Sequence, residues 1–206
     1  MAQADRGVFA TAGMHPHTAT EFDRRGGAVV EELLADPLVV GVGETGLDYY
    51  RLLSPADDQQ RLFRTHIALS RESGKPLVVH VREAWADAMA ILDEEGAEHV
   101  VLHCFSGDAA TAREAAARGY TLSFAGNVTY PKAESLREAA AAADPSQIVV
   151  ETDSPFLTPQ AVRGQANVPA NVRLTLSVLA EARGVTLDEM VASTTAAALR
   201  AFPFLR

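Results

Sequence analysis

A single cysteine, Cys104, stands in a chain of 206 residues, which excludes an internal disulfide and fits a reducing, cytoplasmic setting. No apolar run approaches the ~20 residues needed to cross a bilayer, so no membrane partner is expected. The opening Met1-Ala2-Gln3-Ala4-Asp5-Arg6-Gly7 has no basic segment leading into an apolar one, so no secretory leader is expected either. Lysine is almost missing, with only Lys75 and Lys132, and the net charge is -9. That balance argues against a protein that coats nucleic acid through a basic face. It leaves room for an enzyme that meets phosphates through metal ions in a cleft. No Gly-x-Ser-x-Gly elbow is present, which weakens a serine hydrolase. No Gly-x-Gly-x-x-Gly or phosphate loop follows the first apolar segment, which weakens a nucleotide-binding sheet.

What is present is 48% hydrophobic and reads as six short strands, nearly all apolar and each followed by a helix. Gly7–Gly13, Val39–Glu44, Pro76–His80, His99–His103, Tyr120–Phe124 and Gln147–Glu151 are the strands. The glycines after Val42 mark where the second strand stops and the backbone turns. Helices are expected over 27–35, from an N-cap at Ser54 to Glu72, and over 83–95, 108–118 and 131–143. A terminal helical region begins near Pro169, with a capping box at Thr186-Leu187-Asp188-Glu189 starting a fresh helix. Alternation of this kind means parallel strands joined by right-handed crossovers in one α/β domain spanning 1–206. Periodicity does not separate an open sheet from a barrel.

Polar residues gather at the carboxyl ends of the strands: His15 and His17, Glu44, His80, His103 and Asp153. Parallel sheets place their chemistry at this end. Neutral imidazole and carboxylate together suit divalent ions such as Zn²⁺, Mn²⁺ and Mg²⁺. A bridging carboxylated lysine is excluded, because Lys75 precedes its strand and Lys132 lies in a helix. If two ions are held, a glutamate bridges them, and Glu44 is the candidate. His66 and His99 sit away from strand ends and read as surface or structural residues. His103 and Cys104 are adjacent on a strand, so their side chains diverge and Cys104 reads as a buried small hydrophobe. His17 is a candidate supporting or substrate contact. Arg82 could grip a phosphate or carboxylate with its planar fork, or form a surface ion pair. Asn127, at the end of the fifth strand, is a further candidate substrate contact.

Five motifs resemble the TatD family of metal-dependent hydrolases: Gly13-Met14-His15-Pro16-His17, Gly43-Glu44-Thr45-Gly46-Leu47-Asp48, Val79-His80-Val81-Arg82, Leu102-His103-Cys104-Phe105-Ser106-Gly107 and Glu151-Thr152-Asp153-Ser154-Pro155. Their order and spacing match over essentially the whole chain. The resemblance implies a TIM-type (β/α)₈ barrel of the amidohydrolase kind with one or two divalent metal ions. It implies hydrolysis of phosphodiester bonds in DNA, as a 3′–5′ exonuclease on single-stranded ends. The alternative substrate is charged tRNA, relieved of a D-amino acid. By position, the resemblance makes Glu44 the bridging ligand and His80 and His103 ligands of one metal. Asp153 is a ligand that also orients or deprotonates the attacking water.

Two departures from the family pattern carry expectations. The family's first strand, with its His-x-His pair, and the βα unit after it have no counterpart here. Either the start is misplaced, or the chain is a piece of a longer one, or a shortened barrel of about six βα units is expected, with apolar sheet edges and one under-liganded metal position. An inactive truncated product is the corresponding rival. In place of the usual Arg-Asn-Glu-Pro, the late loop has Ala166-Asn167-Val168-Pro169, which puts its anchoring or its substrate contacts in question.

Overall fold

The computed structural model describes residues 7–205; the opening residues 1–6, read above for a leader, and Arg206 lie outside them. The chain divides into two compact units, Met1–Val101 with Ala201–Arg206, and Leu102–Arg200. Six strands follow one another in chain order, β1 to β6. None of the helices among the described residues is long and apolar enough to cross a membrane.

The first unit contains β1 (Ala10–Ala12), α1 (Arg24–Leu34), β2 (Val39–Asp48), α2 (Ala56–Ser73), β3 (Leu77–Arg82) and α3 (Trp85–Glu94). β1 pairs with β2, and β2 with β3, all parallel. Its core is Val42, Leu47, Leu62, Phe63, Val79 and Leu92, each at most 2% exposed. Removing that much apolar surface from water is the main favourable term. The buried face of α2 runs Gln59, Leu62, Phe63 and His66, at helical spacing. Two of these four are polar, and each pins a strand end described below. Lys75 is buried beneath the end of α1, where its Nζ donates to Leu34 O. Burial lowers its pKa, yet the amine still supplies a cation where the helix leaves carbonyls unpaired.

The structure corrects several sequence expectations in this unit. β2 does not stop at Glu44. It continues to Asp48 across a register irregularity between Val42 and Thr45, so the glycines mark a bulge inside the strand. Gly43 takes φ +144 there, and a Cβ on it would stand 2.9 Å from Val78 Cβ. A Cβ on Gly13 would lie 2.7 Å from Gly43 Cα, so the end of β1 packs backbone to backbone on β2. Ser54 is not the cap of α2, since Pro55 occupies that position with no side-chain cap. The Ser54 hydroxyl instead donates to His17 O at 2.9 Å. α1 begins earlier than expected because Asp23 caps it, accepting from Gly26 N–H at 2.8 Å.

β4 (Val100–His103) leads into the second unit, which contains α4 (Ala109–Ala117), β5 (Thr121–Phe124), α5 (Glu134–Ala142), β6 (Ile148–Val150), α6 (Val172–Arg183) and most of α7 (Leu187–Ala201). β5 and β6 are parallel partners. Small buried residues, Ala112 and Ala115 on α4 and Ala139 and Ala140 on α5, let these neighbouring helices approach closely. Arg183 donates to Ala140 O and, at 2.9 Å, to Ala143 O, closing α5. The expected capping box forms: Thr186 N–H donates to Glu189 Oε2 at 2.8 Å and Glu189 N–H to Thr186 Oγ1 at 3.2 Å. Cys104 is corrected as well. β4 ends at His103, and Cys104 lies beyond it at φ 46, half-buried rather than a core residue.

Candidate metal centre

In the first unit, β1, β2 and β3 deliver His15, Glu44 and His80 to one place, each offering a ligand atom within 4.8 Å of the others. His80 Nδ1 stands 2.9 Å from Glu44 Oε1, and its Nε2 stands 3.3 Å from Asp48 Oδ2. A neutral imidazole has one N–H and here faces two carboxylates, so one of them meets a lone pair. A cation between Nδ1 and Glu44 resolves that conflict, with Nε2–H given to Asp48. The donor set of imidazole and carboxylate therefore fits a divalent ion.

Asp48 is only 1% exposed. Burial pushes its carboxyl pKa up, but the Arg51 N–H, His17 and His80 more than offset this and hold it below the ordinary range. His17 Nε2 donates to Asp48 Oδ2 at 2.7 Å, so His17 reaches the cluster through the carboxylate that orients His80. Gln59 fixes Asp48 from beneath: its Oε1 accepts from Asp48 N–H at 2.7 Å and its amide donates to Asp48 O at 3.1 Å.

His15 is held differently. Burial above all, with His80 and His17 adding to it against the pull of Glu44, lowers its pKa to about 4. Its Nδ1 accepts from His17 N–H at 3.2 Å, which leaves the proton on Nε2, 3.6 Å from Glu44 Oε1. His15 therefore offers Glu44 a neutral N–H, and it can ligate through Nε2 only after changing tautomer. His66 is fully buried and structural, not a surface residue. Its Nδ1 donates to Leu62 O at 2.9 Å and its Nε2 accepts from Met14 N–H at 3.0 Å, pinning the residue before His15.

The second unit repeats the two-sided arrangement around His103. Nδ1 stands 2.8 Å from Glu151 Oε2, which also accepts from Ser123 Oγ at 2.5 Å. With Nδ1–H given to Glu151, the Nε2 lone pair faces Asp153 Oδ1, 3.8 Å away. Glu151 Oε1 is buried with no hydrogen-bond partner among the described residues. Asp153 takes φ 53, a left-handed conformation that a carboxylate residue holds only when its surroundings fix it. Asn167 does part of that fixing. It is buried and donates to Thr152 O at 2.7 Å and to Phe156 O at 2.6 Å, on either side of Asp153. The Ala-Asn-Val-Pro loop thus keeps its anchor through Asn167.

Of the remaining candidates, Arg82 lays its guanidinium over the Tyr50 ring, Cζ 4.0 Å from the centroid. Asn127 sits in a 3-10 turn after β5, its Oδ1 buried and without a partner among the described residues. The sequence placed His15 among the strand-end residues suited to metal without assigning it as a ligand, and it gave no role to Asp48, Gln59 or Glu151. Asp48 and Glu151 carried a usable signal, since Asp48 closes one quoted motif and Glu151 opens another, each at a strand end. Gln59 carried none beyond a polar residue on the apolar stripe of α2.

Parallel strands, intervening helices and carboxylate–imidazole clusters at strand ends define a metal-dependent hydrolase of the TIM-barrel-like amidohydrolase fold. The family described as TatD related DNase matches residues 1–203. The metal-dependent hydrolase YabD of Bacillus subtilis is 40% identical over 95% of this chain and 77% of its own. The metal-dependent hydrolase TatD of Mycobacterium tuberculosis is 42% identical over 98% and 78%. A relative from Erwinia amylovora named 3′-5′ ssDNA/RNA exonuclease TatD is 32% identical over 90% and 74%. The crystal structure of YJJV, a TatD homolog from Escherichia coli, superposes with a TM-score of 0.91 at 25% identity, covering 98% of this chain and 79% of that one. The chain belongs to the TatD family.

Proposed function

We propose that the chain acts as a single hydrolase domain that cleaves phosphodiester bonds of DNA, trimming single-stranded 3′ ends. The observation carrying this reading is the convergence of His15, Glu44 and His80 within 4.8 Å, with His80 caught between two carboxylates. The name of the Erwinia relative supports the choice of substrate. Glu44 and His80 would hold one divalent ion, Mg²⁺, Mn²⁺ or Zn²⁺, and His103 with Asp153 would hold or adjoin a second. Such an ion, when bound, acidifies water and offsets charge on the phosphate oxygens.

The chain's own residues do the rest. Asp48 and Glu151 fix the tautomers of His80 and His103, so that each presents a lone pair and not a proton. Asp153 accepts the proton of the attacking water as the water oxygen bonds to phosphorus; the P–O ester bond breaks, and the leaving oxygen takes a proton from solvent to depart as an alcohol. His15, kept neutral by burial, offers its Nε2–H to a phosphate oxygen without adding charge. His17 and Arg82 are candidate substrate contacts in the first unit; Asn127 is one by sequence position.

The test is degradation of single-stranded DNA by the full chain with Mn²⁺ or Mg²⁺ against EDTA, beside Glu44→Gln and Asp153→Asn. Metal-dependent cleavage lost in both folded variants is expected. Cleavage that persists in EDTA, or in both variants, would overturn the assignment.

A further inference from the structure

The loop after β2 presents apolar side chains to water beside the first cluster. Tyr50, Leu52 and Leu53 are 57%, 54% and 63% exposed. The loop is nevertheless held at both ends. Asp48 Oδ1 accepts from Arg51 N–H at 2.8 Å, and Gln59 donates to Ser54 O at 2.8 Å. Tyr49 turns aside, its hydroxyl donating to Asp87 at 2.8 Å. Between these anchors Leu52 takes φ 47, a conformation that any Cβ-bearing residue resists. The leucine is left more than half exposed, so burial offsets little of that cost. Strain kept in place by rigid surroundings is a mark of binding surfaces.

Arg82 completes the surface. It ends β3, its carbonyl accepts from Tyr49 N–H at 2.9 Å, and its guanidinium covers the Tyr50 ring at 4.0 Å. In a chain of net charge -9, this guanidinium brings positive charge to an exposed ring.

We propose that the Tyr50–Arg82 stack, with Leu52 and Leu53 beside it, receives an unpaired nucleobase of the strand being cleaved. The inference rests on the nuclease reading above. Aromatic rings and guanidinium planes both accept the face of any base, so stacking of this kind tolerates sequence. The arginine charge complements the adjoining phosphate. A base inside a duplex is already stacked on both faces, so only an unpaired end can use the shelf. The shelf begins two residues after Asp48, which orients His80, and so a base seated there belongs at or next to the reacting phosphate.

The test uses the full chain carrying Asp153→Asn, with Mg²⁺, titrated with a single-stranded oligonucleotide whose terminal base is 2-aminopurine. Binding is expected to quench the fluorophore. Tyr50→Ala should weaken binding by roughly five- to hundredfold and remove the quench. Tyr50→Phe should keep both, since it retains the ring. A blunt duplex should bind equally to the parent and to Tyr50→Ala. Unchanged affinity and quench in Tyr50→Ala, with DNA still cleaved by the wild-type chain, would overturn the shelf alone. A wild-type chain that hydrolyses bis(4-nitrophenyl) phosphate but neither binds nor cuts the oligonucleotide would overturn the nuclease reading, and the shelf with it.

Discussion

Asp48→Asn isolates the orienting carboxylate from the ligands. The wild-type Oδ2 accepts from His17 Nε2 at 2.7 Å and faces His80 Nε2 at 3.3 Å, while Oδ1 accepts from Arg51 N–H at 2.8 Å. An asparagine has one acceptor oxygen where the carboxylate has two, and its NH₂ group can only donate. With the amide oxygen kept for Arg51, the NH₂ turns toward both imidazoles and selects the tautomer with a lone pair on Nε2. In His80 that change moves the proton to Nδ1, where it points at Glu44 Oε1, 2.9 Å away. The apo protein then gains a good hydrogen bond in the place where an ion would enter. Loss of such an outer partner costs about 10- to 100-fold in metal affinity, or about 1.4–2.7 kcal/mol. Isothermal titration with Mn²⁺ gives the affinity, circular dichroism verifies folding, and ¹⁵N spectra of the imidazoles report the tautomer. A folded variant that binds Mn²⁺ within twofold of wild type, with His80 still protonated on Nε2, would refute the reasoning.

Two further predictions follow from burial. His15 has its pKa lowered from 6.5 to about 4, and burial lowers that of His66 too. Below pH 6.5 the unfolded chain takes up protons that the folded rings refuse, so the metal-free protein loses stability as pH falls from about 6.5 to about 4. For His15 the whole gap corresponds to about 3 kcal/mol, reduced to roughly 1–2 kcal/mol because the ring is partly solvated. Urea unfolding in EDTA at stepped pH measures the slope; a slope that His15→Gln leaves as steep would contradict the assignment. Asn167→Ala removes the donors to Thr152 O and Phe156 O, and should cost about 1–3 kcal/mol while raising proteolysis of the loop around Asp153. Unaltered thermal stability and protease resistance would show that other contacts hold the loop.

The two clusters differ in how far the sequence could announce them. Strand ends are legible because a buried parallel strand is an apolar run, and the polar residue that ends it is conspicuous: Glu44, His80, His103 and Asp153 all stand out in this way. Orientation is not legible. Whether His80 presents Nδ1 or Nε2 depends on Asp48, which pairs beside β3 only because β2 continues past Glu44 through a bulge that glycine punctuation disguises as a stop. Asp48 in turn depends on Gln59, whose amide meets the Asp48 backbone from α2, and no local pattern predicts that contact. His66 shows the same limit from the other side. Its position on a helix made it look remote from strand-end chemistry, yet its Nε2 holds Met14 and thereby the approach of His15. His66 and Gln59 interrupt the apolar face of α2, and in three dimensions they satisfy backbone groups after β1 and at the end of β2. A polar residue on the buried stripe of a helix that follows a catalytic strand is thus best read as a hydrogen-bond partner for the end of a strand. Mutations at Gln59 and His66 should accordingly disturb metal binding as well as stability.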